Sequence, residues 1–377
     1  MYVPILGRHL SIGLFEICKR KEIRMYKKGL FGGIILVLLL GLMACNSQSE
    51  KSLQKSEQPD KLGATENDKE VSYKSTGIGN STWIVYWDQE AGQKELEQVE
   101  SLDCLTVFGV YFDGDGQFII PDIVSSDFSS FKGDKYISFI NDQVAGDGSS
   151  SLKDATLLSQ LIGEENREKH VSDIISLAQK YKYDGIEIDY EAIKDDMELW
   201  KDFESFLTLL VSKARDKQLK IRVVLEPLIP FAKLDFPQGP EYVIMCYNLH
   251  GGFSEPGAKA DYTFLQKVIH LSSSVSNRTL AFATGGFDWS GDKCEEVTEK
   301  EANALLQKYN ETAQREKESG ALSFSYTDEK NRKHTVYYAD ESTLQAWKKT
   351  AQESGIDSFS LWRLGGNQME TVKGIFQ

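Results

Sequence analysis

The sequence has few cysteines and a deficit of positive charge, and each shortage excludes a class of protein. Five cysteines occur in 377 residues, and none falls in a CxxC or CxxxH spacing, so the sequence predicts neither a structural zinc site nor a disulfide framework. The formal net charge is −14, and no basic stripe with interleaved aromatic residues offsets it. Such a surface repels nucleic acid, whereas an uncharged polymer remains a compatible partner.

Motifs for several common chemistries are also missing. The sequence contains no HExxH pair, Walker loop, GxSxG elbow or Rossmann glycine fingerprint. We therefore expect neither a metal ion nor an organic cofactor. Cys104 and Cys246 lie in apolar, strand-like runs and are predicted to be small core residues.

A long apolar run lies near the N-terminus, between Gly29 and Met43. It has 15 residues, which is short for a membrane span, and two lysines precede it, as in a secretory signal. The run ends at Leu42-Met43-Ala44-Cys45, which resembles a bacterial lipobox, where the cysteine is acylated and becomes the mature N-terminus. We therefore expect lipidation of Cys45 and an extracytoplasmic protein that its lipid anchors to the bacterial cell membrane. The alternative is an uncleaved signal anchor.

Composition divides the chain into segments. Residues 1–24 do not fit the front of a signal peptide, so translation is expected to begin at Met25 and the signal peptide to occupy 25–45. Residues 46–78 are rich in Ser, Lys, Glu, Gln and Asn and predict a flexible linker. Residues 79–377 have the composition of one globular domain.

Strand-like apolar runs alternate with helix-like periodicity across this domain. The eight predicted strands are 83–87, 105–112, 136–140, 185–190, 221–225, 242–247, 280–283 and 356–362. Good helices are predicted at 93–99, 167–180, 195–217, 262–273 and 342–354. This order predicts an α/β fold, the (β/α)8 TIM barrel. A helix at 299–318 and two short strands at 322–326 and 335–338 predict a small hairpin-containing insertion between strands seven and eight.

The segment Asp184-Gly-Ile-Glu-Ile-Asp-Tyr-Glu191 places three carboxylates at alternate positions. Because alternate side chains of a strand share one face, Glu187, Asp189 and Glu191 should lie together, with neighbours roughly 7 Å apart. Like charges at that distance raise one another's pKa, so at least one acid should hold a proton near neutral pH. A protonated acid beside an ionised one suits cleavage of a glycosidic bond. The alternative is a solvated acidic loop, which the interleaved isoleucines and Gly185 argue against.

Polar and aromatic residues follow the predicted strands at their C-terminal ends, which is where the active sites of this fold lie. Examples come from all eight strands: Trp87-Asp88, Asp113, Asn141-Asp142, Asp189-Tyr-Glu191, Glu226, Tyr247-Asn248, Asp288-Trp289 and Trp362-Arg363.

These residues resemble the family-18 glycoside hydrolases, the chitinase and endo-N-acetylglucosaminidase family, across residues 79–377. The signature strand of that family is DGxDxDxE, and this chain has Glu187 where the middle aspartate usually stands. Further matches are Ile84-Val-Tyr86-Trp, Ser138 and Met245-Cys-Tyr247-Asn248. The tail Leu361-Trp362-Arg-Leu-Gly365, with Gly286-Phe-Asp-Trp289 ahead of it, looks like the branch of spore-cortex and peptidoglycan N-acetylglucosaminidases.

The resemblance implies a retaining mechanism without a protein nucleophile. Glu191 would be the general acid and later the base, while the 2-acetamido carbonyl of the substrate attacks the anomeric carbon. Asp189 would orient and stabilise that acetamido group, turning between Glu187 and Glu191. Tyr247 would donate a hydrogen bond to the acetamido oxygen.

The resemblance also implies residues that contact substrate. Trp362 would form the floor beneath the distorted sugar, with a barrel-core tryptophan as the alternative. Asn248 replaces an aspartate found in many chitinases, which should alter the pH profile. The remaining substrate contacts would come from Met245, from Tyr86 and Ser138, for which structural roles are equally open, and from Glu226 on the rim.

The sequence thus predicts a surface-anchored, monomeric hydrolase of β-1,4-linked N-acetylglucosamine glycans, with peptidoglycan ahead of chitin oligomers and N-glycans. The first alternative is a non-hydrolytic, chitinase-like carbohydrate-binding lipoprotein. The second is another retaining glycosidase, with Glu226 as its nucleophile. A solute-binding lipoprotein of a transporter is the third, and the single eight-stranded pattern argues against it.

Overall fold

The computed structural model describes residues 79–99, 101–145 and 150–376. The predicted start at Met25, the signal peptide, the lipidated Cys45 and the linker 46–78 all lie outside the described residues. Among the helices of the described part of the chain, none is long and apolar enough to span a bilayer.

The described residues form fifteen strands, most of them at or near the predicted positions. In chain order these are β1 (Asn80–Val85), β2 (Cys104–Phe112), β3 (Phe118–Ile119), β4 (Asp134–Val144), β5 (Ser150–Ser151), β6 (Gly185–Asp189), β7 (Lys220–Leu225), β8 (Glu241–Met245), β9 (Arg278–Ala283), β10 (Gly285–Ser290), β11 (Lys293–Val297), β12 (Gln314–Arg315), β13 (Leu322–Thr327), β14 (Lys333–Ala339) and β15 (Phe359–Trp362).

Eight parallel strands close into a barrel. The order of pairing is β1, β2, β4, β6, β7, β8, β9 and β15, and β15 pairs with β1 to complete the ring. Each contains one of the eight predicted strands or overlaps it, so the predicted α/β barrel is confirmed. The short strands β3 and β5 pair antiparallel with the ends of β2 and β4 at the rim.

The described helices are α1 (Gln89–Leu96), α2 (Ala155–Ile162), α3 (Arg167–Lys180), α4 (Met197–Arg215), α5 (Tyr262–Leu271), α6 (Glu299–Tyr309), α7 (Glu341–Gln352) and α8 (Met369–Ile375). α4 shows why they form: Asp196 accepts hydrogen bonds from the backbone N–H groups of Glu198 and Leu199 and caps the helix. Its buried residues recur at helical spacing and cover the barrel: Leu199, Trp200, Phe203, Phe206, Leu207, Leu210 and Ala214. Between β7 and β8, the described residues form only a 3-10 turn at Phe231–Lys233.

Two apolar layers lie on opposite faces of the barrel strands. Ile84, Ile186 and Ile188 belong to the large outer core between strands and helices. Trp83, Val85 and Tyr247 belong to a smaller cluster inside the barrel. Cys104 and Cys246 are buried free thiols, as predicted for small core residues.

The insertion between β9 and β15 is larger than a hairpin. Five antiparallel strands form a separate sheet in the order β11, β10, β14, β13 and β12, and the predicted hairpin is β13 with β14. The predicted helix 299–318 is wrong in its second half. α6 begins at a capping box between Thr298 and Glu301 and ends at Tyr309, because Asn310 adopts a left-handed conformation with φ of +53°.

Candidate active site

The predicted row of acids lies inside the barrel at its C-terminal end. Glu187 and Asp189 are buried on the inner face of β6, and Glu191 follows two residues beyond the strand end. On the opposite face, the Tyr190 hydroxyl lies 2.7 Å from His170 Nε2 in the outer core. Gly185 opens the strand, and a Cβ there would lie 2.4 Å from the Tyr136 ring, so a side chain would not fit. The solvated-loop alternative is therefore wrong.

Glu187 is held by groups from three other barrel strands. The Trp83 indole N–H donates to Oε1 at 2.7 Å, the Thr106 hydroxyl donates to Oε2 at 3.3 Å, and Arg222 Nε lies 3.4 Å from Oε2. Burial raises the pKa of Glu187 to about 7, against the lowering effects of Arg222 and Trp83. We expected repulsion between the acids to be the main cause, but the charge of Asp189 contributes less than burial does.

Glu191 lies outside the strand, and its neighbours fix its backbone. Asn141, fully buried on β4, accepts from the Glu191 N–H at 3.0 Å and donates to its carbonyl oxygen at 3.0 Å. The next residue, Ala192, has φ of +64° and donates its N–H to Glu226 Oε2 at 2.9 Å. Burial raises the pKa of Glu191 to about 8, although Lys153 opposes that rise. Burial thus favours the protonated carboxyl of Glu191, whereas the Lys153 ammonium favours the ionised one.

Asp189 shares a cation with Glu191, which the sequence did not predict. Lys153 donates to Asp189 Oδ2 at 3.1 Å and lies 2.6 Å from Glu191 Oε1. Asp189 Oδ1 is buried and has no hydrogen-bond partner within the described residues. Burial alone would lower the pKa of Lys153, but the charges of Asp189, Glu191 and Asp142 outweigh it and hold that pKa well above its ordinary value.

An aromatic wall lies beside the acids. Tyr247 is buried in the cluster inside the barrel, and burial raises the pKa of its hydroxyl, with a further rise from the charges of Asp189 and Glu191. Trp362, at the end of β15, meets the rings of Trp83 and Phe108 edge-on, with ring centroids 5.5 and 5.0 Å apart. Met245 and Trp362 are partly buried and pack against the same inner cluster as Tyr247. Trp83 links this cluster to the acids through its hydrogen bond to Glu187, and the catalytic and substrate-binding roles of Tyr247 and Trp362 stay predictions.

The other predicted site residues lie in different positions. Ser138 is fully buried beside Glu187, its partner in the β4–β6 register, and its hydroxyl has no hydrogen-bond partner among the residues that the structure describes. Tyr86 and Asn248 are exposed on the rim, and Asn248 has a left-handed backbone with φ of +60°. Glu226 contacts the chain after Glu191, as described above. The roles of these residues in substrate binding remain predictions.

Arg222 is a second residue that the sequence analysis missed. It is fully buried on β7, where Nε lies 3.4 Å from Glu187 Oε2 and 3.5 Å from Glu241 Oε2. Its guanidinium also donates to Ser81 Oγ at 2.8 Å and to Ser360 Oγ. The sequence feature that could have identified Arg222 is its position inside the apolar run of a predicted central strand, where a buried charge must be paired. Within the part of the chain described, His, Cys, Asp and Glu form no cluster that could hold a metal ion.

Comparisons with known proteins agree with this geometry. YvbX of Bacillus subtilis, an uncharacterized glycosylase, is 27% identical over 241 residues, which cover 59% of this chain and 69% of that protein. The cortical fragment-lytic enzyme of Bacillus subtilis is 25% identical over 235 residues, covering 54% of this chain and 52% of that enzyme. The chain therefore spans about half the length of that enzyme.

Solved structures share the fold. The spore cortex-lytic enzyme SleL of Bacillus cereus superposes with a TM-score of 0.66 at 19% identity, covering 78% of this chain and 72% of that one. A chitinase of Chromobacterium violaceum gives a TM-score of 0.67 at 17% identity, covering 80% and 99%. The family described as Glycosyl hydrolases family 18 matches residues 82–367, most of the chain. The chain therefore belongs to that family and is one of its glycosidases.

Proposed function

We propose that this protein hydrolyses β-1,4-linked N-acetylglucosamine glycans by a substrate-assisted, retaining mechanism, with peptidoglycan ahead of chitin oligomers and N-glycans. The observation that carries the proposal is the pair Asp189 and Glu191, which share the Lys153 ammonium at the C-terminal end of the barrel. Peptidoglycan is placed first because two of the relatives are named for lysis of spore cortex or its fragments.

The proposed chemistry assigns one step to each group. Glu191 gives its proton to the glycosidic oxygen while the acetamido carbonyl oxygen of the substrate attacks the anomeric carbon, and the bond to the leaving sugar breaks. Asp189 stabilises the cationic oxazolinium ring that results, and Tyr247 donates to the acetamido oxygen. Glu191, now ionised, takes a proton from water, which attacks the anomeric carbon and opens the ring with retained configuration.

The contacts of Glu226 favour this mechanism over the alternative in which Glu226 is the nucleophile. Its carboxylate already accepts the N–H of Ala192 at 2.9 Å, which fixes the chain that carries Glu191. In that position Glu226 supports the acid. Trp362 would support the apolar face of the bound sugar.

The test is the pair of substrates that differ only in the acetamido group. We expect a chromogenic N,N′-diacetylchitobioside to be cleaved, with the β-anomer as the first product by NMR, and its de-N-acetylated analogue to be resistant. A thiazoline mimic of the oxazolinium should inhibit. Cleavage of both substrates, or an inverted product, would refute the mechanism. The substrate preference is tested separately, by comparing the rates at which purified peptidoglycan and chitin oligomers are degraded.

The pH profile is expected to have its basic limb well above the ordinary carboxyl range. Because the pKa of Glu191 is raised to about 8, the proton that it delivers is present below that pH and is lost as the pH rises through it. kcat/KM should therefore remain high at pH 7 and fall tenfold per pH unit above the limb. A basic limb at pH 5 would contradict this assignment.

We also propose that a lipid on Cys45 anchors the protein outside the cell, with residues 46–78 as a spacer. The support is the lipobox-like sequence that ends at Cys45. Mass spectrometry of the mature N-terminus tests it, and a mature chain that retains residues 25–44 would refute it.

A further inference from the structure

Lys153 is a feature of the site that the proposed mechanism does not use. Its ammonium contacts Asp189 at 3.1 Å and Glu191 at 2.6 Å. Its backbone N–H donates to Asp142 Oδ1 at 2.8 Å and its φ is +51°, so the backbone is fixed as well as the side chain. One cation therefore joins the acid that would protonate the substrate to the acid that would orient it.

In the proposed mechanism the acetamido group contacts Asp189 while the glycosidic oxygen contacts Glu191, and Lys153 now contacts both carboxylates. The Lys153 side chain is 24% exposed, so its contact with the two acids is not fully sealed in the barrel. A positive charge at this point also resembles the charge that develops on the sugar during the reaction.

Titratable groups on or just after the neighbouring strands also interact with Lys153, Asp189 or Glu191. Asp142 on β4 acts on Lys153 directly. The charge of Lys153 acts to lower the pKa of Tyr111 on β2 and of Tyr247 after β8. The charge of Glu226, which follows β7, raises the pKa of Glu191. Lys153 thus counters the negative charge of several carboxylates at once.

We propose that Lys153 is a positioning residue that holds Asp189 and Glu191 together in the free enzyme and is displaced from Glu191 when the amino sugar binds. This inference rests on the proposed function, because the displacement requires a substrate that contacts both acids. While Lys153 is in place it favours the ionised form of Glu191. Once Lys153 leaves, the Glu191 carboxyl binds its proton more tightly. Substrate binding therefore stabilises the protonated form of Glu191, which donates its proton in the first step.

The first experiment measures the free enzyme and needs no turnover. The carboxyl carbon of Glu191 is followed by NMR in ¹³C-glutamate-labelled protein, assigned by its loss in Glu191→Gln. In Lys153→Met the pKa of Glu191 should rise by at least about one unit, since an opposite charge at this distance lowers a carboxyl pKa by about one to three. Lys153→Arg should titrate near the wild type. Lys201→Met, on the exposed face of α4, is the control for loss of one positive charge.

The second experiment compares two pH profiles on the chromogenic chitobioside. kcat/KM reports the free enzyme and kcat the complex. In the wild type the basic limb of kcat should lie at higher pH than that of kcat/KM, and in Lys153→Met the two limbs should coincide at the higher value. Lys153→Gln is made in parallel, so that a folding defect in one variant leaves the comparison intact.

Two results would overturn the inference. An unchanged Glu191 titration in the uncharged variants would mean that Lys153 does not act on the acid. Coincident limbs in the wild type, both raised equally by Lys153→Met, would mean that the ammonium stays on Glu191 during turnover. A wild type that does not cleave the chitobioside would refute the proposed function alone. The titration would still measure how Lys153 changes the pKa of Glu191 in the free enzyme.

Discussion

Replacing Glu191 with glutamine is expected to lower kcat by about 10²–10⁴-fold while binding of a chitin oligomer is retained. The amide keeps the size of the side chain but has no proton to deliver to the glycosidic oxygen. The backbone at this position should be unaffected, because Asn141 holds the Glu191 N–H and carbonyl group and does not contact the carboxyl. Initial rates and calorimetric binding of the same oligomer measure the two effects separately.

The matched control is Glu198→Gln, a glutamate in the first turn of α4, on the outside of the barrel. It should change neither kcat nor binding. Retained turnover in Glu191→Gln, at more than about a tenth of the wild-type rate, would remove this residue from the role of acid. Loss of both turnover and binding, with an unchanged thermal midpoint, would instead identify it as a binding residue.

Replacing Arg222 with methionine is expected to lower the free energy of unfolding by about 3–5 kcal/mol. The variant leaves two acids, Glu187 and Glu241, buried in the barrel without the cation that both now face. Urea denaturation followed by far-UV circular dichroism measures the change. Lys220→Met is the control on the same strand: Lys220 is half-exposed and pairs with Asp134 at the surface, so its loss should cost less than about 1 kcal/mol.

The destabilisation in Arg222→Met should grow with pH. Burial already raises the pKa of Glu187 to about 7 and raises that of Glu241, while Arg222 lowers both. Without Arg222 the folded-state pKa values rise further and the unfolded values do not change. Below a pH of about 4.5 both acids are protonated in either state and the penalty is small, whereas it increases as the pH rises through 7. A penalty that is the same at pH 5 and pH 8 would contradict this explanation.

The sequence was sufficient for the barrel and for the row of acids because both depend on local periodicity. Alternation along residues 185–190 assigned Glu187 and Asp189 to one face and the isoleucines to the other, and the structure agrees. α3 was predicted residue for residue, because its apolar spacing is undisturbed by glycine or proline. The helix 299–318 failed because Asn310 ends it through a left-handed turn, which the periodicity does not record.

The partners of the acids could not be predicted because they come from distant segments. Lys153 precedes α2 and reaches Asp189 across a sequence separation of 36 residues, and no local pattern marks it as different from other lysines. Asn141 was noted at a strand end, but its double hydrogen bond to Glu191 depends on how β4 and β6 pair. Arg222 was the exception, because a charge in a central strand is a detectable signal.

The position of Glu191 beyond the end of its strand limits how this chemistry can be transplanted. Two neighbouring segments fix its main chain, one through Asn141 and the other through Glu226, and the eight-residue signature contains neither. Grafting that signature alone into an unrelated barrel would deliver Glu187 and Asp189 in place but leave the proton donor on an unsupported loop. A designer would have to carry over parts of three adjacent strands as one unit.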